Sequence, residues 1–189
     1  MRHPQKNKVR IIGGKFKGTL LSFANIEGLR PSGSRCREVL FNWLMADINQ
    51  SQVLDAFAGS GALGFEALSR GAQQVVFIDT SSLVQQQITT QCKKLNILSQ
   101  THIIQANTFD WLNTTKQCFD LIFLDPPFIQ TDILPLFKLI IEHQLLNKNG
   151  FIYFEQDKKN ALPELPSALI IYKKKELGQV RMFLIKYND

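Results

Sequence analysis

The stretch Val53-Leu54-Asp55-Ala56-Phe57-Ala58-Gly59-Ser60-Gly61-Ala62-Leu63-Gly64 decides the fold. Its apolar start reads as a short strand that closes at Gly59. Three glycines then fall in a Gly59-x-Gly61-x-x-Gly64 spacing, which turns a strand into a helix and lets a ligand approach the backbone. Leu63 to Arg70 continues as a helix, and Gly71 ends it as a C-terminal cap does.

Outward from this stretch the pattern alternates. Val75 to Ile78 predicts a strand ending at Asp79, and Ser82 to Leu95 predicts a helix. Ile103-Ile104 opens another strand, and Phe119-Asp-Leu-Ile-Phe-Leu124 is a further one, apolar except for Asp120. Thr131 to His143 is amphipathic at helical spacing, and Phe151 to Phe154 is again a strand. Two β-rich stretches, Ala168 to Tyr172 and Val180 to Tyr187, surround Gly178. Strands this apolar suit a parallel sheet covered on both faces, so the fold class is α/β with one doubly wound sheet. Ahead of it, Val9 to Leu21 reads as a hairpin turning at Gly13-Gly14. Arg30 to Ser34 reads as a loop, and a helix begins at Arg35 with Val39, Leu40, Trp43 and Leu44 on its apolar side. The division expected is therefore a basic N-terminal extension, residues 1–49, packed on a catalytic domain of residues 50–189.

The chain has 189 residues, 44% of them hydrophobic, which suits one core and leaves little room for a separate recognition module. No apolar run reaches the roughly 20 residues of a membrane span. Met1 to Arg10 lacks the apolar region of a secretory signal, so a cytoplasmic protein is expected, with a monomer as the default. Cys36, Cys92 and Cys118, like His3, His102 and His143, are scattered, which argues against a disulfide framework or a metal site. The cysteines read as small hydrophobes. The net charge is +6, and its distribution is uneven. Arg2, Lys6, Lys8, Arg10, Lys15 and Lys17 precede any acidic residue, and Arg30, Arg35 and Arg37 follow shortly after. Met1 to Asn7 alone could be a solvated tail. The whole basic stretch, through Arg10, Lys15, Lys17, Arg30, Arg35 and Arg37, reads better as a phosphate-contacting surface.

Two sites carry chemistry. At the first, the glycine turn is joined by Asp79, whose carboxylate can accept hydrogen bonds from both ribose hydroxyls of an adenosine-containing ligand. Asp55, aimed at the same turn, disfavours a pyrophosphate and suits the cationic amino-acid end of S-adenosylmethionine. At the second, Asp125-Pro126-Pro127-Phe128 ends the apolar strand. Ligands of open α/β sheets bind beyond the carboxyl ends of strands. The prolines stiffen the turn, Asp125 and nearby carbonyls supply acceptors, and Phe128 supplies a flat face. These parts grip a planar amine.

Together these segments resemble the class I methyltransferases that carry a D/N-P-P-F/Y/W motif. More closely, they resemble the RsmD family of bacterial 16S rRNA guanine-N2 methyltransferases. The resemblance rests on Arg10-Ile-Ile-Gly-Gly14, Arg30-Pro31, Arg37-Glu38 with Leu40 to Leu44, Asp55 to Gly71, Asp125 to Phe128, and Gly178-Gln179-Val180. It implies a Rossmann-like sheet of seven strands, mostly parallel with the last antiparallel, and S-adenosylmethionine as cofactor. It implies Asp55, Gly59 and Gly61 around the methionine part, Asp79 on the ribose and Asn107 at the adenine. Asp125, Pro126 and Phe128 would then hold a guanine of 16S rRNA within the small ribosomal subunit, with Arg30 to Arg37 closing over the cofactor. Ser34 stands where the family usually has aspartate, and a serine can still cap a helix. Rivals at this level are a DNA adenine-N6 methyltransferase, a nucleotide-binding module without catalysis and an NAD-dependent oxidoreductase; a protein glutamine or small-molecule methyltransferase would leave the basic N-terminal stretch unexplained.

Overall fold

Strands buried on both faces fix the centre of the molecule, whose computed structural model describes residues 7–23, 33–126 and 132–188. The elements run β1 (Asn7–Arg10), β2 (Leu20–Phe23), α1 (Ser34–Trp43), β3 (Gln52–Asp55), α2 (Ala62–Ser69), β4 (Gln74–Asp79) and α3 (Ser82–Leu95). There follow β5 (Thr101–Gln105), α4 (Thr108–Thr114), β6 (Phe119–Leu124), α5 (Leu134–Glu142), β7 (Leu146–Asp157), β8 (Leu169–Leu177) and β9 (Val180–Tyr187). The main sheet has seven strands in the order β5-β4-β3-β6-β7-β9-β8. The first five in that row are parallel, while β9 runs antiparallel to both β7 and β8.

Alternation along β6 shows why the sheet is doubly wound. Leu121 and Phe123 join the apolar cluster that α1, α2, α3 and the hairpin cover. Ile122 and Leu124 join the opposite cluster, which α5 covers. Phe123 packs edge-on against Phe41 of α1 at 5.9 Å and Tyr153 of β7 at 6.3 Å. Such ring pairs contribute roughly 0.5–1.5 kcal/mol each beyond the area they bury. The polar interruption at Asp120 has its own partners: the carboxylate accepts from the Gln52 backbone N–H at 2.8 Å and from Asn147 at 2.7 Å.

Several boundaries differ from the sequence reading. The hairpin forms, with Val9 opposite Leu21, but its connection is a long loop from Ile11 to Thr19 rather than a tight Gly13-Gly14 turn. Its ladder is extended by Ile11 N–H to Thr19 O and Gly18 N–H to Ile11 O. α4, a short helix of seven residues, had no long apolar period to announce it. β7 is longer than Phe151 to Phe154, because Leu146 already pairs with Phe119 ahead of a register shift. β8 runs on through Lys173, Lys174 and Lys175. Ser34 is the first residue of α1, and Gly33 before it provides no side-chain cap. Cys36 and Cys92 are buried as expected, whereas Cys118 is exposed. Among the described residues, no helix is long and apolar enough to cross a membrane.

Candidate active site

The chain runs β3, β4, β5 to one side and then returns to β6 beside β3, so the winding reverses between β3 and β6. A crevice opens beyond the carboxyl ends of strands at such a point. Asp55 and Asp125 flank it: Asp55 is paired with Phe123, and Asp125 follows Leu124 at the end of β6.

Asp55 has only 2% of its surface exposed, and its carboxylate accepts the Gly64 backbone N–H at 3.0 Å. Burial pushes its pKa up to about 8; the Gly64 N–H opposes this, while the charges of Asp125 and Asp79 add to it. Three carboxylates thus gather at the carboxyl ends of β3, β4 and β6, near enough to act on one another. Asp79 ties down the glycine turn, its Oδ2 accepting from Gly59 N–H and its Oδ1 from Ser81 N–H, both at 2.9 Å. Each oxygen keeps acceptor capacity for a further donor.

The turn itself needs its glycines. Gly61, at φ 73°, is the left-handed residue that starts α2. A Cβ on Gly64 would fall 2.2 Å from the Phe77 ring, so glycine there lets α2 lie close on β4. Asn107 caps α4, its Oδ1 accepting from Phe109 N–H at 2.9 Å. The next residue, Thr108, donates to the Ala56 carbonyl at 2.5 Å, joining α4 to the start of the glycine turn.

On the β6 side Asp125 is half-buried and Pro126 is buried. Phe128 lies outside the described residues, as does Arg30. Beside Asp125 the sheet places a buried pair that the sequence reading missed: the Tyr153 hydroxyl donates to Glu155. Burial and Glu155 hold the Tyr153 hydroxyl well above its ordinary pKa. The Cys36 thiol at the start of α1 is pushed up to about 11 by burial, then by Glu155 and Asp125.

The N-terminal basic residues divide. Arg10, Lys15, Lys17 and Arg35 are exposed. A groove of about 680 Å3 between the hairpin loop and the start of α1 is lined by Lys8, Arg10, Lys17, Ser34, Arg37 and Glu38. Arg37 corrects the expectation of an RNA contact. Its side chain is 2% exposed, donating to the Arg10 carbonyl at 3.0 Å and standing 3.7 Å from Glu66. Glu66, fully buried on α2, also accepts from Ile12 N–H, Gly13 N–H and Arg70 Nε, each at 2.8 Å. Arg37 is therefore a strut between α1, the hairpin and α2. Its spacing to Leu40, Phe41 and Leu44 carried the signal, since these positions form one helical stripe and all are buried.

A seven-stranded sheet with this order, a glycine turn at the switch point and carboxylates at three strand ends defines the class I, S-adenosylmethionine-dependent methyltransferases. Comparison with known proteins narrows the class. The family described as "Conserved hypothetical protein 95" matches residues 9–186. The ribosomal RNA small subunit methyltransferase D of Haemophilus influenzae is 42% identical, across 93% of this chain and 92% of its own. Its Escherichia coli counterpart is 35% identical, across 94% and 89%. The solved structure of the Escherichia coli protein yhhF superposes with a TM-score of 0.88 at 34% identity, covering 96% of this chain and 98% of that one. The chain belongs to the ribosomal RNA small subunit methyltransferase D family.

Proposed function

We propose that this protein transfers a methyl group from S-adenosylmethionine to the exocyclic N2 amine of a guanine in 16S rRNA of the small ribosomal subunit. The observation that carries the reading is the gathering of Asp55, Asp79 and Asp125 at neighbouring strand ends, where Asp125 and Asp79 raise the cost of ionising Asp55. Such a place favours a cationic ligand and repels a pyrophosphate, which counts against an NAD-dependent reading. S-adenosylmethionine, when bound, supplies a methyl group activated on a sulfonium.

This chain's own residues then orient the partners. Asp55 with Gly59 and Gly61 would receive the amino-acid end, Asp79 would accept from the ribose hydroxyls, and Asn107 would reach the adenine. The lone pair of a guanine amine is delocalised into its ring. Hydrogen bonds from that amine to Asp125 and to a loop carbonyl hold it in line and localise the pair, and Pro126 stiffens the loop that carries them. The carboxylate of Asp125 stabilises the positive charge that grows on the nitrogen. Phe128, two positions after Pro126, supplies the ring on which the base lies. Arg10, Lys15, Lys17, Arg30 and Arg35 bind phosphates and set register. The target base must leave its stack, which an rRNA loop allows at small cost.

The test is incubation with labelled S-adenosylmethionine and small ribosomal subunits from a strain lacking the gene, followed by mapping of the label. The expected result is a single N2-methylguanine in 16S rRNA. Asp125→Ala should abolish transfer and leave S-adenosylhomocysteine affinity within about threefold. Label on duplex DNA adenine, or near wild-type turnover in the alanine variant, defeats the reading.

A further inference from the structure

A second concentration of positive charge lies at one edge of the main sheet. β8, the outer strand of the sheet, carries Lys173-Lys174-Lys175, with Lys186 on the neighbouring β9. Lys158 meets the β8–β9 turn through its N–H to Gln179 O, and Lys159 is next to it in sequence. Of the carboxylates beside them, Glu176 is engaged by Arg181 at 2.7 Å and Asp157 accepts the Lys159 backbone N–H.

Two features go beyond the charges that edge strands carry to avoid pairing. The first is Tyr172. The ladder shifts register between Ile171 and Lys173, and such a bulge re-aims the extra side chain. The Tyr172 ring is 50% exposed, with Phe151 at 5.5 Å and the ammoniums of Lys173 and Lys186 over the ring at 5.2 and 5.5 Å. A half-exposed ring that lysines cover is one on which an unpaired base stacks once those lysines swing onto its phosphates.

The second is position. Leu124 is opposite Phe154, Phe154 opposite Phe183, and Phe183 opposite Lys174. The next row outward joins Glu155, Met182 and Lys175, on the level of Asp125. Lys175 therefore stands level with Asp125, three strand spacings away, or about 14 Å, while Lys174, Lys173 and Tyr172 follow in successive rows back along β8. That distance is about four stacked nucleotides of one strand.

We propose that the β8 edge, through Tyr172 and Lys173 to Lys175, is a second RNA-contacting surface that holds the strand flanking the target nucleotide. The proposal rests on the rRNA reading above. Lys174 and Lys175 neutralise phosphates, and Tyr172 stacks on an unpaired base.

The experiment measures binding of the full chain to small-subunit rRNA against salt, and methylation kinetics on small subunits. Lys174→Gln/Lys175→Gln should make the slope of log K against log salt shallower by about 1.4 to 1.8. KM for the particle should rise about tenfold, with kcat, thermal midpoint and S-adenosylhomocysteine affinity unchanged. Lys174→Arg/Lys175→Arg should keep the wild-type slope. Tyr172→Ala should weaken binding about tenfold at every salt concentration without changing the slope. A wild-type slope and KM in the glutamine pair would overturn the proposal while the enzyme still methylates. A wild-type protein that neither binds nor methylates the particle would overturn the rRNA reading and the surface with it.

Discussion

Asp55 ends β3 almost wholly out of water, and without a cation beside it the carboxyl keeps its proton up to about pH 8. In the unfolded chain it would ionise near 4. A carboxyl raised in this way stabilises the fold fully below that value and loses the contribution as pH climbs through 8. Asp55→Asn removes the conflict, so its unfolding midpoint should gain on wild type progressively from pH 5 to pH 9. A gap that stays constant across that range would show that Asp55 does not titrate there. The same proton couples to the ligand: a cationic amino-acid group in the crevice favours the ionised form. Binding of S-adenosylhomocysteine at pH 7 should release close to one proton in wild type and less in Asp55→Asn, as read by calorimetry in buffers of different ionisation enthalpy. Asp55, Asp79 and Asp125 were legible in the sequence because each ends an apolar strand, and strand ends of such sheets face ligands. Arg37 belongs to a run of cations that reads as a phosphate surface, whereas its helical spacing to Leu40 and Phe41 points inward. Glu155 could not be read at all, since its place beside Asp125 depends on how β7 aligns with β6.

At the level of elements, the hairpin is held less by its strands than by α2. Glu66 receives two backbone N–H groups of the hairpin loop, and Ser69 accepts from Phe16 N–H at 2.9 Å. The Lys15 N–H reaches the Ser69 carbonyl at 2.7 Å. Because α2 begins at the glycine turn, the hairpin loop and that turn are joined through one helix. Breaking a buried pair leaves a charge stranded, at a cost of about 3–5 kcal/mol. Glu66→Gln should therefore lower stability by about 3 kcal/mol and open the loop from Ile11 to Thr19 to proteolysis. Arg37→Met/Glu66→Gln should lose less than the two single changes summed; strict additivity in a double-mutant cycle would mean the two side chains are not coupled. The hairpin and α1 were visible in the sequence from their turn residues and apolar spacing. Their attachment was not, because it links residues more than fifty positions apart through a glutamate inside a wholly buried helix.

Across the whole molecule, ligand choice gives a test that does not depend on RNA. S-adenosylhomocysteine at a hundred times its Kd should add about 2.7 kcal/mol of stability. For a domain of this size that is a rise of about 5–10 °C in Tm. NAD should leave Tm where it is, and a comparable shift with NAD would sink the cofactor assignment. The doubly wound class followed from the alternation of apolar runs with helical periods. Strand order did not, because the return of the chain from β5 to β6 leaves no local mark; the stretch from Ala168 to Tyr172 reads as β-rich, but the lysines after it conceal how far β8 runs. The placement of β9 between β7 and β8 has one more consequence. All main-sheet pairing of β8 is with β9, whereas β9 is also anchored on β7. Amides of β8 therefore cannot resist exchange with solvent longer than those of β9, while β9 can stay closed after β8 has peeled away. Opening of this flank has a fixed sequence, and the lysine edge is the first part of it to go.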